Sequence, residues 1–130
     1  MLKQVDCVML KVADVDAAIA FYRDVMGLVP LWRDGEMAGL GFPDVIAGGG
    51  TMPEMVLHKD DRIPNVDINY KVADVKVETV RLAEAGCTVV AGPFPIAIGN
   101  CAVVLDPFGH TLTLVDMTTG PRENNFPAQG

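Results

Sequence analysis

The sequence predicts an α+β fold built from two tandem βαβββ modules. The main observation is an internal repeat, in which the Lys-Val-Ala-Asp-Val stretch at residues 11–15 returns at residues 71–75. Each copy follows an alternating segment and leads into a helical pattern that stops at a glycine, Gly27 in the first copy and Gly86 in the second. A repeated unit of this size buries its apolar face poorly when alone, so we expect the two copies to pack together.

The first module opens with a predicted strand over residues 5–12. One face of this strand carries Val8, Leu10 and Val12, and the other carries Cys7, Met9 and Lys11. Asp14 is placed to cap a helix that Gly27 ends. The apolar stripe of this helix comprises Ala17, Ile19, Ala20, Phe21 and Met26. Strands follow near 29–33, 36–42 and 54–59, with a hairpin turn at 33–36 and a flexible glycine loop at 48–50.

The second module repeats this order after a linker over residues 60–65. A strand over 66–72 alternates Ile68, Tyr70 and Val72 with Asp67, Asn69 and Lys71. Asp74 caps the next helix, for which the pattern predicts Val77, Val80 and Leu82 on the inward side. Strands are predicted near 87–91, 94–98, 100–105 and 111–116, with a turn at 106–109 between the last two.

Length and charge limit the function classes. We expect one domain over residues 1–118, with module one at 4–60, module two at 65–117 and a polar C-terminal tail at 119–130. The formal charge of −7 argues against binding to nucleic acid or to an anionic membrane. Solubility is the simplest interpretation of that charge, and attraction of a cationic ligand is the alternative.

Cysteine usage and the N-terminal sequence predict a cytoplasmic protein. The three cysteines, at positions 7, 87 and 101, form neither a CxxC pair nor a zinc spacing, which is typical of a reduced compartment. The first residues lack the apolar core of a signal peptide, and no apolar run approaches the roughly 20 residues of a membrane span.

Two stretches of the chain resemble the vicinal oxygen chelate superfamily. This superfamily includes glyoxalase I, extradiol dioxygenases, fosfomycin-resistance enzymes and bleomycin-binding proteins. The stretch FYRDVMGL at residues 21–28 is similar to its N-terminal motif, and LDPFGHTLTLVD at residues 105–116 is similar to its closing strand. With the internal repeat, the resemblance covers roughly residues 4–117. It is specific for the superfamily and for no single member.

The resemblance implies that the two modules form a curved mixed-sheet cup with the helices outside. It also implies a small-molecule ligand inside the cup and a homodimer. The strand faces that point away from the helices mix polar and apolar residues, as a ligand cavity requires. We therefore predict the following ligand-binding residues: Cys7, Met9, Val56, His58, Asp67, Asn69, Lys71 and Thr113.

The resemblance also bears on metal binding. Metal-dependent members hold a divalent ion with His, Gln or Glu at four strand positions, which correspond here to Cys7, Val56, Asp67 and Thr113. Valine does not coordinate metals, and a neutral threonine is a poor ligand. The chain has only two histidines. His110 follows the 106–109 turn and is interpreted as a turn residue. We therefore predict no metal and no cofactor.

Several roles for single residues remain open. His58 is a candidate general base or a hydrogen-bond partner for a ligand, or else a partly exposed histidine at a strand end. Cys7 is favoured as an inert thiol over a reactive one. Lys71 pairs with Asp67 or binds a polar ligand. Trp32 and Phe42 are favoured as core residues over walls of the pocket.

The first hypothesis is a metal-independent binding protein of the glyoxalase/bleomycin-resistance type, which sequesters its ligand in the cup or in a dimer groove. The second is a metal-dependent lyase, isomerase or extradiol-type dioxygenase of the same superfamily. A two-residue shift of the strand carrying Glu54 and His58 would support it, and so would a metal set of His58, Asp67 and Cys7. A metal-free enzyme with His58 as its base is a third possibility.

Overall fold

A computed structural model describes residues 4–63 and 68–120. The chain divides into two compact units, Met1–Ile68 and Asn69–Gly130. Each unit holds a four-stranded sheet that is not closed, and the described residues contain three helices. This architecture matches two tandem βαβββ modules and confirms the predicted α+β fold. The ligand-holding cup stays a prediction, and so do the domain and module boundaries.

The first unit follows the predicted order with one addition. Its strands are β1 (Cys7–Lys11), β2 (Val29–Asp34), β3 (Met37–Gly41) and β4 (Glu54–His58), and its helices are α1 (Val15–Asp24) and α2 (Pro43–Ala47). The sheet order is β1-β4-β3-β2, with β1 parallel to β4 and the other pairs antiparallel. The short helix α2 was not predicted. Pro43 stands in its first turn, where a missing N–H costs nothing, and Gly48 follows its end.

The second unit has a sheet of the same type. Its strands are β5 (Asn69–Lys71), β6 (Thr88–Ile96), β7 (Gly99–Leu105) and β8 (Thr111–Val115), and its helix is α3 (Val75–Glu84). The sheet order is β5-β8-β7-β6, with β5 parallel to β8. The two strands predicted at 87–91 and 94–98 are a single strand, β6, whose register against β7 shifts twice. The Gly92-Pro93 interruption, which suggested a break, is accommodated by these irregularities.

The repeated aspartates cap the two long helices as predicted. The Asp14 carboxylate accepts a hydrogen bond from the amide of Ala17 at 3.0 Å, and Asp74 accepts one from the amide of Val77 at 3.2 Å. Gly27 and Gly86 follow the helix ends with φ of 77° and 107°, in the left-handed region that favours glycine.

The inward faces of both helices differ from the prediction. In α1 the buried residues are Val15, Ala18 and Tyr22, whereas the predicted Ala17 is exposed. In α3 the buried residues are Val75, Thr79 and Leu82, and the exposed fractions of Val77 and Val80 are 61% and 60%. Spacings of three and four residues from the first helical valine describe both observed faces. The positions of apolar residues alone do not identify these faces, because valine and alanine also occupy the solvent side of the helices.

Strand alternation places most of the buried apolar side chains of the first sheet on one of its faces. Cross-strand register aligns Val8, Met55 and Leu40 in one row and Leu10, Leu57 and Ala38 in the next. All of these except the half-buried Val8 are buried. The predicted face assignment of β1 is therefore confirmed, and the opposite face carries Cys7, Met9, Val56 and His58.

Candidate functional site

The second face of the first sheet is the candidate site, and we call it the Trp32 face. Cross-strand register arranges it in three rows across β1, β4, β3 and β2. The rows are Cys7–Glu54–Gly41–Val29, Met9–Val56–Gly39–Trp32 and Lys11–His58–Met37–Asp34. Four of the predicted ligand-binding residues, Cys7, Met9, Val56 and His58, thus share one surface.

The Trp32 indole packs directly against Gly39 because Gly39 has no side chain. A Cβ built on Gly39 would stand only 2.1 Å from the indole Nε1 of Trp32 and 2.2 Å from its Cε2. The neighbouring Gly41 serves the same purpose, since its Cβ would meet Ile46 at 2.8 Å and Leu31 at 3.0 Å. The two glycines therefore make room for large apolar side chains on the face.

The indole is held in place by Glu54. Its Nε1 donates a hydrogen bond to Oε2 of Glu54 at 3.0 Å, across 22 residues of sequence. Trp32 keeps an exposed fraction of 38%. The interpretation of Trp32 as a core residue is therefore wrong, and the residue forms part of the surface of the candidate site. Phe42 is half-buried at the start of α2.

His58 lies at the far end of the face and is almost fully buried, with an exposed fraction of 1%. The alternative of a partly exposed histidine at a strand end is therefore wrong. Its Nδ1 accepts a hydrogen bond from the amide of Asp60 at 3.0 Å. A neutral imidazole with an accepting Nδ1 carries its proton on Nε2, so this geometry favours His58 as a hydrogen-bond donor over a general base.

Cys7 has the environment of an unreactive thiol. Burial raises its pKa above the ordinary value, and the adjacent Asp6 and the Glu54 carboxylate raise it further. A thiol with a raised pKa is less often the nucleophilic thiolate. The favoured interpretation of Cys7 as an inert residue agrees with these surroundings.

The donor positions of the superfamily fit a metal ion poorly in this chain. Val56 offers no donor atom, and Asp67 lies outside the described residues. In the β1–β4 register, Cys7 lies opposite Glu54 and Lys11 lies opposite His58. Cys7 and His58 are therefore four residues apart along the strands, or about 13 Å. Two ligands of one ion bind within about 2.3 Å of it, so Cys7 and His58 do not share a metal. No group of three His, Cys, Asp or Glu in ranges 4–63 and 68–120 is placed to hold one.

The second sheet places the other predicted residues on one face of its own. Register aligns Asn69 with Thr113 and Val103, and Lys71 with Val115 and Cys101. Asn69 and Lys71 are exposed, and Thr113 is half-buried. The pairing of Lys71 with Asp67 lies partly outside the described residues.

A carboxylate that the sequence did not single out organises the second unit. Asp116 is fully buried, and its Oδ2 accepts the amide of Val75 while its Oδ1 accepts the amide of Asn100, both at 2.8 Å. These bonds, with those from Thr118, lower the pKa of Asp116 to about 2. Gly99 is required beside it, because a Cβ there would lie 2.1 Å from Oδ1. Asp116 therefore joins the start of α3 to the start of β7.

The interpretation of His110 as a turn residue is confirmed. Its amide donates to Oδ1 of Asp106 at 2.8 Å, and its carbonyl accepts from the Asp106 amide at the same distance. Phe108 donates to the same carboxylate oxygen at 2.9 Å. The Asp106 carboxylate, which accepts from both amides, therefore closes the predicted turn at residues 106–109.

Sequence reasoning gave too little weight to Glu54 and overlooked Gly39 and Gly41. Glu54 entered only through a hypothetical register shift, whereas the observed register already places it directly opposite Cys7. The signal for the glycines was available in the Gly39-Leu40-Gly41 pattern. Glycine within a strand often marks close approach of another group.

Comparison with known proteins gives the family. The profile of the glyoxalase/bleomycin resistance protein/dioxygenase superfamily matches residues 4–114. No curated protein sequence is significantly similar to the chain. No helix in the described ranges is long and apolar enough to cross a membrane.

Similar solved structures have a range of described roles. TnmS3, an antibiotic binding protein from Streptomyces sp. CB03234, shares 22% identity and a TM-score of 0.71 over 90% of this chain and 98% of its own. A superfamily member from Sphaerobacter thermophilus shares 22% identity and a TM-score of 0.69 over 89% and 98%. Lactoylglutathione lyase from Agrobacterium tumefaciens shares 19% identity and a TM-score of 0.64 over 88% and 94%. At these identities the likeness shows the fold alone. On the profile match, the chain belongs to the glyoxalase/bleomycin resistance protein/dioxygenase superfamily.

Proposed function

We propose that the protein binds a small organic molecule without a metal ion and sequesters it on the Trp32 face. The observation that carries the proposal is the loss of donors at the superfamily's metal positions, where Val56 and Thr113 replace usable ligands. The same face offers an indole, a thioether and aliphatic groups beside a few polar atoms, which is the usual composition of a ligand site. The antibiotic-binding role described for TnmS3 is compatible with this function.

A metal-dependent enzyme is the second candidate, and one observation favours it. Glu54 lies directly opposite Cys7, so two donor side chains meet at one end of the face. Asp67, outside the described residues, would have to supply a third donor. Against this candidate, Glu54 is bonded to the Trp32 indole, and the raised pKa of Cys7 opposes the thiolate form that metals require.

Metal content separates the two candidates. Untagged protein, purified after growth with Zn, Ni, Mn and Fe, is analysed by mass spectrometry for metal per chain, together with Glu54→Ala and Cys7→Ala. We expect negligible metal in all three. About one metal per chain in the wild type, lost in both variants, would replace the binding-protein proposal with the enzyme.

Ligand binding can be followed through the single tryptophan of the chain. Because Trp32 is part of the proposed site, a bound molecule should change its fluorescence, and a panel of antibiotics and other amphipathic natural products provides the first ligands. Saturable change in the wild type and its loss in Met9→Asp would support sequestration. We also propose a homodimer, which analytical ultracentrifugation tests.

A further inference from the structure

We propose that the Trp32 face carries a subsite for an organic cation, formed by the Trp32 indole and the Glu54 carboxylate. This inference rests on the proposed function and names the class of ligand. The ligand would carry a protonated or quaternary amine on an apolar body.

The geometry fixes an aromatic surface and an anion side by side. Gly39 lets the indole lie close to the sheet, and the bond from Nε1 to Glu54 Oε2 at 3.0 Å sets its orientation. This hydrogen bond lies at the indole edge and does not cover the ring faces, and Trp32 keeps an exposed fraction of 38%. The face of an indole attracts cations, because its quadrupole is negative above the ring.

Among the described residues, no basic side chain forms an ion pair with the Glu54 carboxylate. Glu54 is half-buried beside Cys7 and Gly41. A carboxylate has about four acceptor sites, and the indole uses one. Removing an anion from water without a counter-charge is unfavourable, so a bound cation would complete this site.

The apolar groups nearby define the rest of the ligand. Leu31 and Ile46 fill the space over Gly41 and continue the surface beyond the carboxylate. The half-buried Met9 occupies the same row as Gly39, and the buried Val56 lies between them. A small inorganic cation would gain nothing from these groups, whereas an alkylammonium group with an apolar body contacts both the indole and the aliphatic side chains.

Choline and its uncharged isostere 3,3-dimethylbutan-1-ol test the subsite. The single indole N–H gives one resonance in a ¹H–¹⁵N NMR spectrum, and this resonance reports directly on the bond to Glu54. We expect choline to move it in a saturable manner and the isostere to leave it nearly unchanged at the same concentration. Glu54→Gln keeps an acceptor for the indole and removes the charge, so choline binding should weaken about three- to tenfold.

Glu36→Gln is the matched control, because Glu36 is exposed in the β2–β3 turn and its substitution changes the net charge equally. It should leave choline binding unchanged. A second measurement on the wild type guards against misfolding of the Glu54 variant. Raising NaCl tenfold should weaken choline binding, since salt screens charge–charge attraction.

Equal responses to choline and the isostere, or equal effects of the two glutamine substitutions, would overturn the subsite. So would no response to choline up to about 50 mM, a concentration well above a millimolar dissociation constant. The metal analysis distinguishes this failure from that of the proposed function. If the protein is metal-free and does not respond to choline, only the subsite proposal is refuted. If the protein carries a metal and responds to choline, the sequestration proposal is refuted and the subsite proposal stands.

Discussion

Replacing Gly39 with alanine should displace the Trp32 indole and destabilise the first unit. The new Cβ would lie 2.1 Å from Nε1, whereas ordinary contact begins at 3.4 Å, so the gap to be opened is 3.4 − 2.1 = 1.3 Å. The indole is rigid and cannot yield at one atom, so the whole ring must move. A displacement of this size is enough to break the 3.0 Å hydrogen bond to Glu54.

The cost follows from this overpacking. Forcing additional atoms into a filled position costs about 1–3 kcal/mol. The substitution also stabilises the protein by up to about 1 kcal/mol, because alanine lowers the conformational entropy of the unfolded chain. The net loss of unfolding free energy is therefore about 1–2 kcal/mol, which lowers the urea midpoint by roughly 0.5–1 M for a slope near 2 kcal/mol/M.

Urea unfolding and the indole NMR resonance measure the two effects separately. Gly50→Ala is the control, since its Cβ would meet its nearest neighbour, Val45, at an ordinary 3.6 Å. We expect this control to be neutral or slightly stabilising, with an unchanged indole resonance. An unchanged midpoint and an unchanged resonance in Gly39→Ala would refute the close packing of Trp32 on Gly39.

Three further results are expected. The folded pKa of Asp116 is about 2 and lies below its unfolded value near 3.9. Its contribution to stability is therefore present above about pH 4 and is lost as the pH falls toward 2. Asp116→Asn should flatten the dependence of the urea midpoint on pH between about 2 and 5. Leu57→Ala, at a fully buried position, should lower the free energy of unfolding by about 2–5 kcal/mol. Val77→Ala, on the exposed side of α3, should change it by less than about 0.5 kcal/mol. Similar losses in the two variants would contradict the observed burial of Leu57 and exposure of Val77. Asp14→Ala should cost about 1 kcal/mol in urea unfolding by removing the cap of α1, and Asp14→Asn should restore most of it.

Local chemistry explains why so much of the fold was predictable. The alternation in β1 and β4, the capping aspartates and the turn glycines act over a few residues, so their signals are present in the sequence itself. The exceptions have local causes too. The helix faces were misjudged because exposed Val77 and Val80 resemble core residues, and β6 was divided because its Gly92-Pro93 pair resembles a break.

The sequence by itself determined the duplicated α+β architecture, the superfamily and the face on which Cys7, Met9, Val56 and His58 lie. Only the tertiary structure decided what that face contains. The contact of Trp32 with Gly39 and its bond to Glu54 join residues 7 and 22 positions apart, and they depend on the register of β2, β3 and β4. The bonds of Asp116 to Val75 and Asn100 likewise join distant segments. No local pattern specifies such pairings, because they arise only when the strands align.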